Sequence, residues 1–197
     1  LQNFYSSGDI ISWIDGQKYN FAQANQRVQK ALGETILVTG ATGMLGAHLL
    51  YELTQQGHAI RATFRDDRKK ELTARIFSYY TNHREELLER VNWVKADLVD
   101  VTDVETAMDG IEKVYHCAAL VSFDDKDGEA LIRMNPLITA NVVNVALDFN
   151  VRKLVYASSV SALGRTVQGK LINEEAQWVD SKHNSVYAKS KYLAELE

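Results

Sequence analysis

Cysteine is nearly absent from this chain of 197 residues: Cys117 is the only one. No disulfide can form within the chain, which fits a reducing compartment. Long apolar runs are also missing, none approaching the roughly 20 residues that span a bilayer. The first residues lack the basic-then-apolar pattern of a secretory signal. A cytoplasmic protein without a membrane partner is the expectation. Lys and Arg number 22 against 26 Asp and Glu, a net charge of -4, with both signs spread along the chain. No basic patch interleaved with aromatics occurs, which argues against nucleic acid as a partner. His58, His83 and His183 fall at no metal-ligand spacing with cysteine or acids, so no metal is expected. What is present is 46% apolar, ordinary for one globular domain with a real core.

From Thr35 onward, strand-like and helix-like segments alternate. The strand-like runs are Thr35–Val38, Ala59–Phe64, Val91–Ala96, Lys113–Cys117 and Lys153–Ala157. Met44 to Gln56 reads as a helix, with Leu45, Leu49, Leu50 and Leu53 at helical spacing and Gly57 as the stop. A charged helical region runs from about Asp67 to Arg90. Thr102-Asp103-Val104-Glu105 has the form of a capping box and opens a short helix ended by Gly110. Leu131 to Phe149 is a long helix carrying Pro136 near its start. Gly164 to Asn184 reads as loop, and helix resumes from Ser185. This alternation implies an α/β fold, a doubly wound parallel sheet with helices on both faces. Such sheets bind ligands beyond the carboxyl ends of their strands, where strand order reverses. Residues 1–34 stand outside the pattern, as an N-terminal extension ahead of a domain at 35–197. Trp13, Ile14, Tyr19 and Phe21 suit a small hairpin around Asp15-Gly16, and Ala22 to Leu32 suits an amphipathic helix.

Directly after the first of these strands stands Thr39-Gly40-Ala41-Thr42-Gly43-Met44-Leu45-Gly46. A helix N-terminus offers free N–H groups and a favourable dipole to an anion. Glycine lets the backbone turn tightly and approach a pyrophosphate without a Cβ in the way. The strand before and the helix after supply the context that a lone glycine triplet lacks. At the end of the second strand comes Arg65, nineteen residues past Gly46, followed by Asp66. A guanidinium there grips a 2′-phosphate, whereas an acid there meets ribose hydroxyls. Arg65 therefore points to NADP, with NAD left open through Asp66.

Tyr187 and Lys191 lie four residues apart, on one face of a helix. A free phenol titrates near ~10, too high for proton exchange at neutral pH. A nearby ammonium favours the phenolate. Ser158 and Ser159 follow the strand Lys153–Ala157, where a hydroxyl can polarise a substrate carbonyl. The chemistry expected is hydride transfer between a nicotinamide and a substrate carbon, with Tyr187 exchanging the hydroxyl proton. Read alone, the tyrosine–lysine spacing also suits an exposed helix face, and the serines suit a cap or turn. His48 and His116 read as packing, surface or capping residues, and Cys117 as a small buried one.

These motifs, in this order, resemble an extended short-chain dehydrogenase/reductase, in the NAD(P)-dependent epimerase/dehydratase and dihydroflavonol-reductase-like group. The resemblance runs from about Thr35 to Glu197. It implies a Rossmann fold in which Gly40, Thr42, Gly43, Met44, Leu45 and Gly46 hold the pyrophosphate. It gives Arg65 the place found in NADP-using reductases, and sets Asp97 and Leu98 against adenine. It places Ala118 and Ala119 of His116-Cys117-Ala118-Ala119 beside the cofactor, and Ser158 on the nicotinamide side. Catalytic roles fall to Asn135, Ser159, Tyr187 and Lys191, the last two also touching the cofactor. The strand order implied is 3-2-1-4-5. Members of this family continue past the Tyr-Lys helix into further strands and a small substrate domain, so a truncated chain is expected. Helices 131–149 and 185–197 would pair with their copies in a homodimer. Three readings follow: an NADP-dependent oxidoreductase acting on a small-molecule carbonyl or alcohol, an NAD-dependent nucleotide-sugar epimerase or dehydratase, and a non-catalytic dinucleotide-binding module.

Overall fold

The computed structural model describes residues 11–14, 17–20, 34–163, 172–173 and 175–197. Strands β1 (Ile11–Ile14) and β2 (Gln17–Asn20) pair antiparallel, Ile14 opposite Gln17, as the hairpin expectation required. The helix expected at Ala22–Leu32 lies outside the described residues, as does much of the segment after Gly164.

The main sheet holds β3 (Thr35–Thr39), β4 (Ala59–Phe64), β5 (Val91–Lys95), β6 (Lys113–His116) and β7 (Lys153–Tyr156). All its pairings are parallel, in the order β5-β4-β3-β6-β7. Counted within this sheet, that is the order 3-2-1-4-5. β3 lies in the middle and is apolar on both faces, as a strand covered by helices on each side must be. Ile36 and Val38 face one core, with Leu50, Leu53, Phe77 and Leu87. Leu37 faces the other, with Val104, Met108, Val114 and Val142. The first core is roofed by α1 (Met44–Gln55), α2 (Lys70–Ser78) and α3 (Arg84–Glu89), the second by α4 (Val101–Met108) and α5 (Gly128–Asp148). The last helix, α6 (Val186–Glu195), packs along α5.

Local structure departs from expectation in two places. The charged region 67–90 is not continuous. Asp66 caps a single 3-10 turn at Asp67–Lys69, α2 follows, and Tyr79–His83 separates α2 from α3. α4 is capped by Asp100 instead of Thr102, the Asp100 carboxylate accepting from Thr102 N at 2.9 Å. A carboxylate two residues upstream is the stronger acceptor for these amides. Asp103, inside the supposed box, turns back to accept from Asp97 N at 2.8 Å.

α5, with the 3-10 turn before it, is long and apolar enough to cross a membrane by length and composition alone. Its burial is that of a core helix: Leu131, Asn135, Ile138, Thr139, Val142, Val145 and Ala146 all point into the protein.

Candidate active site

The chain reverses direction across the sheet between β3 and β6, and their carboxyl ends meet there. Gly40, at φ +66, follows β3, and a Cβ on it would lie 2.7 Å from both N and Cα of Ala118, just past β6. Only glycine tolerates both that conformation and that approach. Thr39 ties the two ends further: its hydroxyl meets His116 Nδ1 at 2.7 Å and accepts from Ala118 N at 3.3 Å. Gly46 closes the turn, since a Cβ there would stand 2.3 Å from Gly40 O. Gly43 caps α1 with no side-chain hydrogen bond and no acidic residue in the first turn. The first N–H groups of α1, on Met44, Leu45 and Gly46, therefore stay open to an anion. The side chains of Met44 and Leu45 point to solvent, 75% and 56% exposed.

A cleft of about 200 Å³ opens beside this turn. Gly40, Thr42, Gly43, Arg65, Asp97, Leu98, Ala118 and Ala119, all anticipated, line it. Lys69, Phe64, Cys117, Leu120, Met134 and Ile138 also line it and were not anticipated. Lys69 sits one turn beyond Arg65 in the same charged segment, which was the available signal. Both side chains are exposed, and neither has a hydrogen bond or ion pair among the described residues. Asp66 between them is engaged: Arg68 donates to both its oxygens, at 2.7 to 3.2 Å. That guanidinium, helped by the Arg68 amide, holds the Asp66 carboxyl down to about 2. Burial pushes the half-buried Cys117 thiol above its ordinary range, away from thiolate chemistry.

Ser158, Ser159, Tyr187 and Lys191 stand outside the cleft wall, at the end of β7 and on α6. Ser158 Oγ is buried without a partner among the described residues, an unusual state for a hydroxyl. Ser159 Oγ accepts from Ser161 N at 3.2 Å, so it caps the turn at Val160–Leu163, while its O–H donates to no acceptor among the described residues. Tyr187 is half-buried with no hydrogen bond to its hydroxyl among the described residues, and its ring tilts against Phe123 at 5.7 Å. Lys191 shares its helix face with Tyr187, but its ammonium does not go there. It donates to the Tyr156 hydroxyl and, at 3.0 Å, to Ala157 O. Burial pushes Lys191 down to about 8 and the Tyr156 phenol up to about 12.

Asn135 is 1% exposed and fully employed. Its Oδ1 accepts from Leu120 N at 2.7 Å, and its Nδ2 donates to Leu120 O and to Ser190 Oγ, both at 3.0 Å. Ser190 Oγ in turn donates to Tyr187 O at 2.8 Å. Asn135 thus clamps the loop after β6 to the first turn of α6. His116 is buried between Thr39 and Thr139, the latter at 3.2 Å, and burial pushes it down to about 4.

A parallel sheet reversing at β3/β6, with a glycine turn and an open helix N-terminus in its cleft, defines a Rossmann-type dinucleotide-binding domain. The model of the NAD dependent epimerase/dehydratase family matches residues 36–197, and the chain belongs to that family. Dihydroflavonol 4-reductase of Dianthus caryophyllus is 29% identical over 174 residues, covering 87% of this chain and 45% of that protein. Cinnamoyl-CoA reductase 1 of Petunia hybrida is 28% identical over 183 residues, covering 78% and 52%. Among solved structures, gox2253 aligns with a TM-score of 0.69 at 30% identity, over 83% of this chain and 46% of that one. UDP-glucose 4-epimerase from Bifidobacterium longum, solved with NAD+ and UDP, shares the fold at 23% identity and a TM-score of 0.63, over 82% and 47%. The chain spans about half the length of the relatives it matches.

Proposed function

We propose that this chain is the cofactor-binding and catalytic portion of an NADP-dependent oxidoreductase that interconverts a small carbonyl compound and its alcohol. The end of β4 carries the reading. Arg65 and Lys69 place two cations on the cleft wall that make no hydrogen bond or ion pair among the described residues, while the intervening acid is held by Arg68. Free cations with an engaged carboxylate favour a 2′-phosphate over bare ribose hydroxyls.

The residues present fit a dinucleotide. Gly40 and Gly46 occupy positions where any Cβ would collide with backbone, which permits the tight turn, and the first N–H groups of α1 beyond it would hold a pyrophosphate. The unpartnered Ser158 Oγ awaits a polar group on the nicotinamide side. Asp97 and Leu98 would face adenine, and Ala118 and Ala119 would leave room beside the cofactor. The nicotinamide, when bound, supplies or accepts the hydride. The chain's own part is proton handling and orientation. Ser159 donates its O–H to the substrate oxygen, Tyr187 gives or takes that oxygen's proton, and Lys191 brings positive charge to the phenol and the ribose. Asn135 acts by holding the Tyr187 turn in place. A homodimer through the outer faces of α5 and α6 completes the reading.

Titration of the full-length protein with NADPH and NADH, read by nicotinamide fluorescence, tests the cofactor. NADPH should bind at least tenfold tighter. Equal or tighter NADH binding, unchanged by Arg65→Ala, overturns the NADP assignment. The family membership and the epimerase fold support a second reading, NAD-dependent epimerisation or dehydration of a nucleotide sugar. Turnover of UDP-sugars without net NADPH oxidation would favour it.

A further inference from the structure

On the proposed reading Lys191 serves the ribose and the phenol of Tyr187, yet its ammonium is already occupied. The Tyr156 hydroxyl and Ala157 O accept from it, and its Nζ lies 4.1 Å from the centre of the Tyr156 ring. Lys191 is 1% exposed and forms no part of the cleft wall. Tyr156 is the last residue of β7, and its ring stacks on His116 with centroids 5.3 Å apart at 23°. His116 is fixed in turn by Thr39 and Thr139. The acceptor is therefore backed by the rigid centre of the sheet. The Tyr187 hydroxyl, by contrast, has no hydrogen-bond partner among the described residues.

We infer that Tyr156 is a positioning residue that holds the Lys191 ammonium away from the cleft until a dinucleotide draws it out, so that the Tyr156 hydroxyl and the ribose compete for one cation. The inference rests on the role given to Lys191 in the proposed function. A lysine withdrawn from Tyr156 leaves a half-buried phenol with its Thr139 hydrogen bond but without its charged donor, a loss that costs free energy. That cost is set against cofactor affinity, as with any protein whose binding-competent arrangement is the less populated one. With Lys191 pushed down to about 8 and Tyr156 up to about 12 by burial, the pair at neutral pH is an ammonium donating to a neutral phenol.

The test is NADPH titration of the full-length protein at pH 7. Tyr156→Phe keeps the ring, its stack on His116 and the cation over its face, and removes the hydroxyl that accepts from Lys191 together with its hydrogen bond to Thr139. Thr139→Val, which removes that second bond and the one to His116 but keeps the Lys191 contact, should leave NADPH affinity unchanged. NADPH should then bind threefold tighter or more. Unchanged or weaker binding overturns the inference. Lys191→Met should weaken NADPH binding, and in that background Tyr156→Phe should have no further effect. An equal effect in both backgrounds means that the hydroxyl acts through packing, which also overturns it. If Lys191→Met leaves affinity unchanged, the role of Lys191 in the proposed function fails and the competition fails with it. Tighter binding in neither variant, with Lys191→Met weakened, sinks the competition alone. Should the phenylalanine variant not fold, the wild type answers through the Cζ shift of selectively 13C-labelled Tyr156. Saturation with NADPH should move that shift, and a signal that stays in place refutes the displacement.

Discussion

Acidification should destabilise this domain through His116 well before its carboxylates dominate. The ring is buried, and desolvation, followed by the charge of Lys191, pushes it from 6.5 down to about 4. Its neighbours are the hydroxyls of Thr39 and Thr139, the Tyr156 ring and the Lys191 ammonium. No carboxylate is hydrogen-bonded to it among the described residues. In the unfolded chain the imidazole takes its proton near ~6.5. Between pH 6.5 and about 4 the unfolded state therefore binds a proton that the folded state refuses, and stability falls as pH falls. Above 6.5 both forms are neutral and the group contributes no slope. At roughly 1.36 kcal/mol per pH unit, the interval amounts to about 3 kcal/mol when fully expressed. Urea unfolding of wild type and His116→Gln at pH 7, 6, 5 and 4.5 isolates it, because the other titrating groups are common to both. Wild type should lose the greater stability on acidification. Parallel losses, or an NMR titration placing the His116 ring near 6.5 in the folded protein, would refute the reasoning.

Tyr187→Phe should abolish turnover while leaving NADPH affinity within about threefold, since the phenol's proton is lost without a large binding contact; full activity would rule out the proton role. Arg65→Ala and Lys69→Ala should each weaken NADPH by tenfold or so, and NADH far less, because a charge-assisted contact is worth roughly 1.5–3 kcal/mol; matching losses for both nucleotides would count against the 2′-phosphate assignment. Asn135→Ala strands the Leu120 amide and carbonyl and should cost about 3 kcal/mol of stability, measured by thermal unfolding. Gly40→Ala should cost about 1–2 kcal/mol from left-handed backbone alone, and more from the collision with Ala118; a variant as stable as wild type would contradict the geometry.

The sheet was legible because its evidence is periodic. Ile36-Leu37-Val38 is apolar on both faces, and the glycine turn marks where the first crossover begins. Those features are local, and they read the same in sequence as in space. The cap of α4 was misplaced because Thr102-Asp103-Val104-Glu105 satisfies one motif while Asp100, two residues earlier, offers a better acceptor. Lys69 was passed over since charges crowd the stretch from Arg65 to Lys70, and only the backbone turn after Asp66 sorts those facing the cleft from those facing water. The partner of Lys191 was beyond reach. Tyr156 is 35 residues away on a different element, and its hydroxyl meets the lysine only because α6 folds back over the end of β7. Helical spacing correctly placed Tyr187 and Lys191 on one face, but spacing says nothing of where a long flexible side chain sends its charge.

The contact between Gly40 and Ala118 has a consequence for how this domain can change over generations. The two residues follow different strands, 78 positions apart, and a Cβ on Gly40 would meet backbone, with no side chain to trim. Neither partner can adjust alone, because each is continuous with a strand in the ladder. A glycine turn transplanted from another protein would bring half of an interlock. The two loops must be inherited, swapped or redesigned together, as one part.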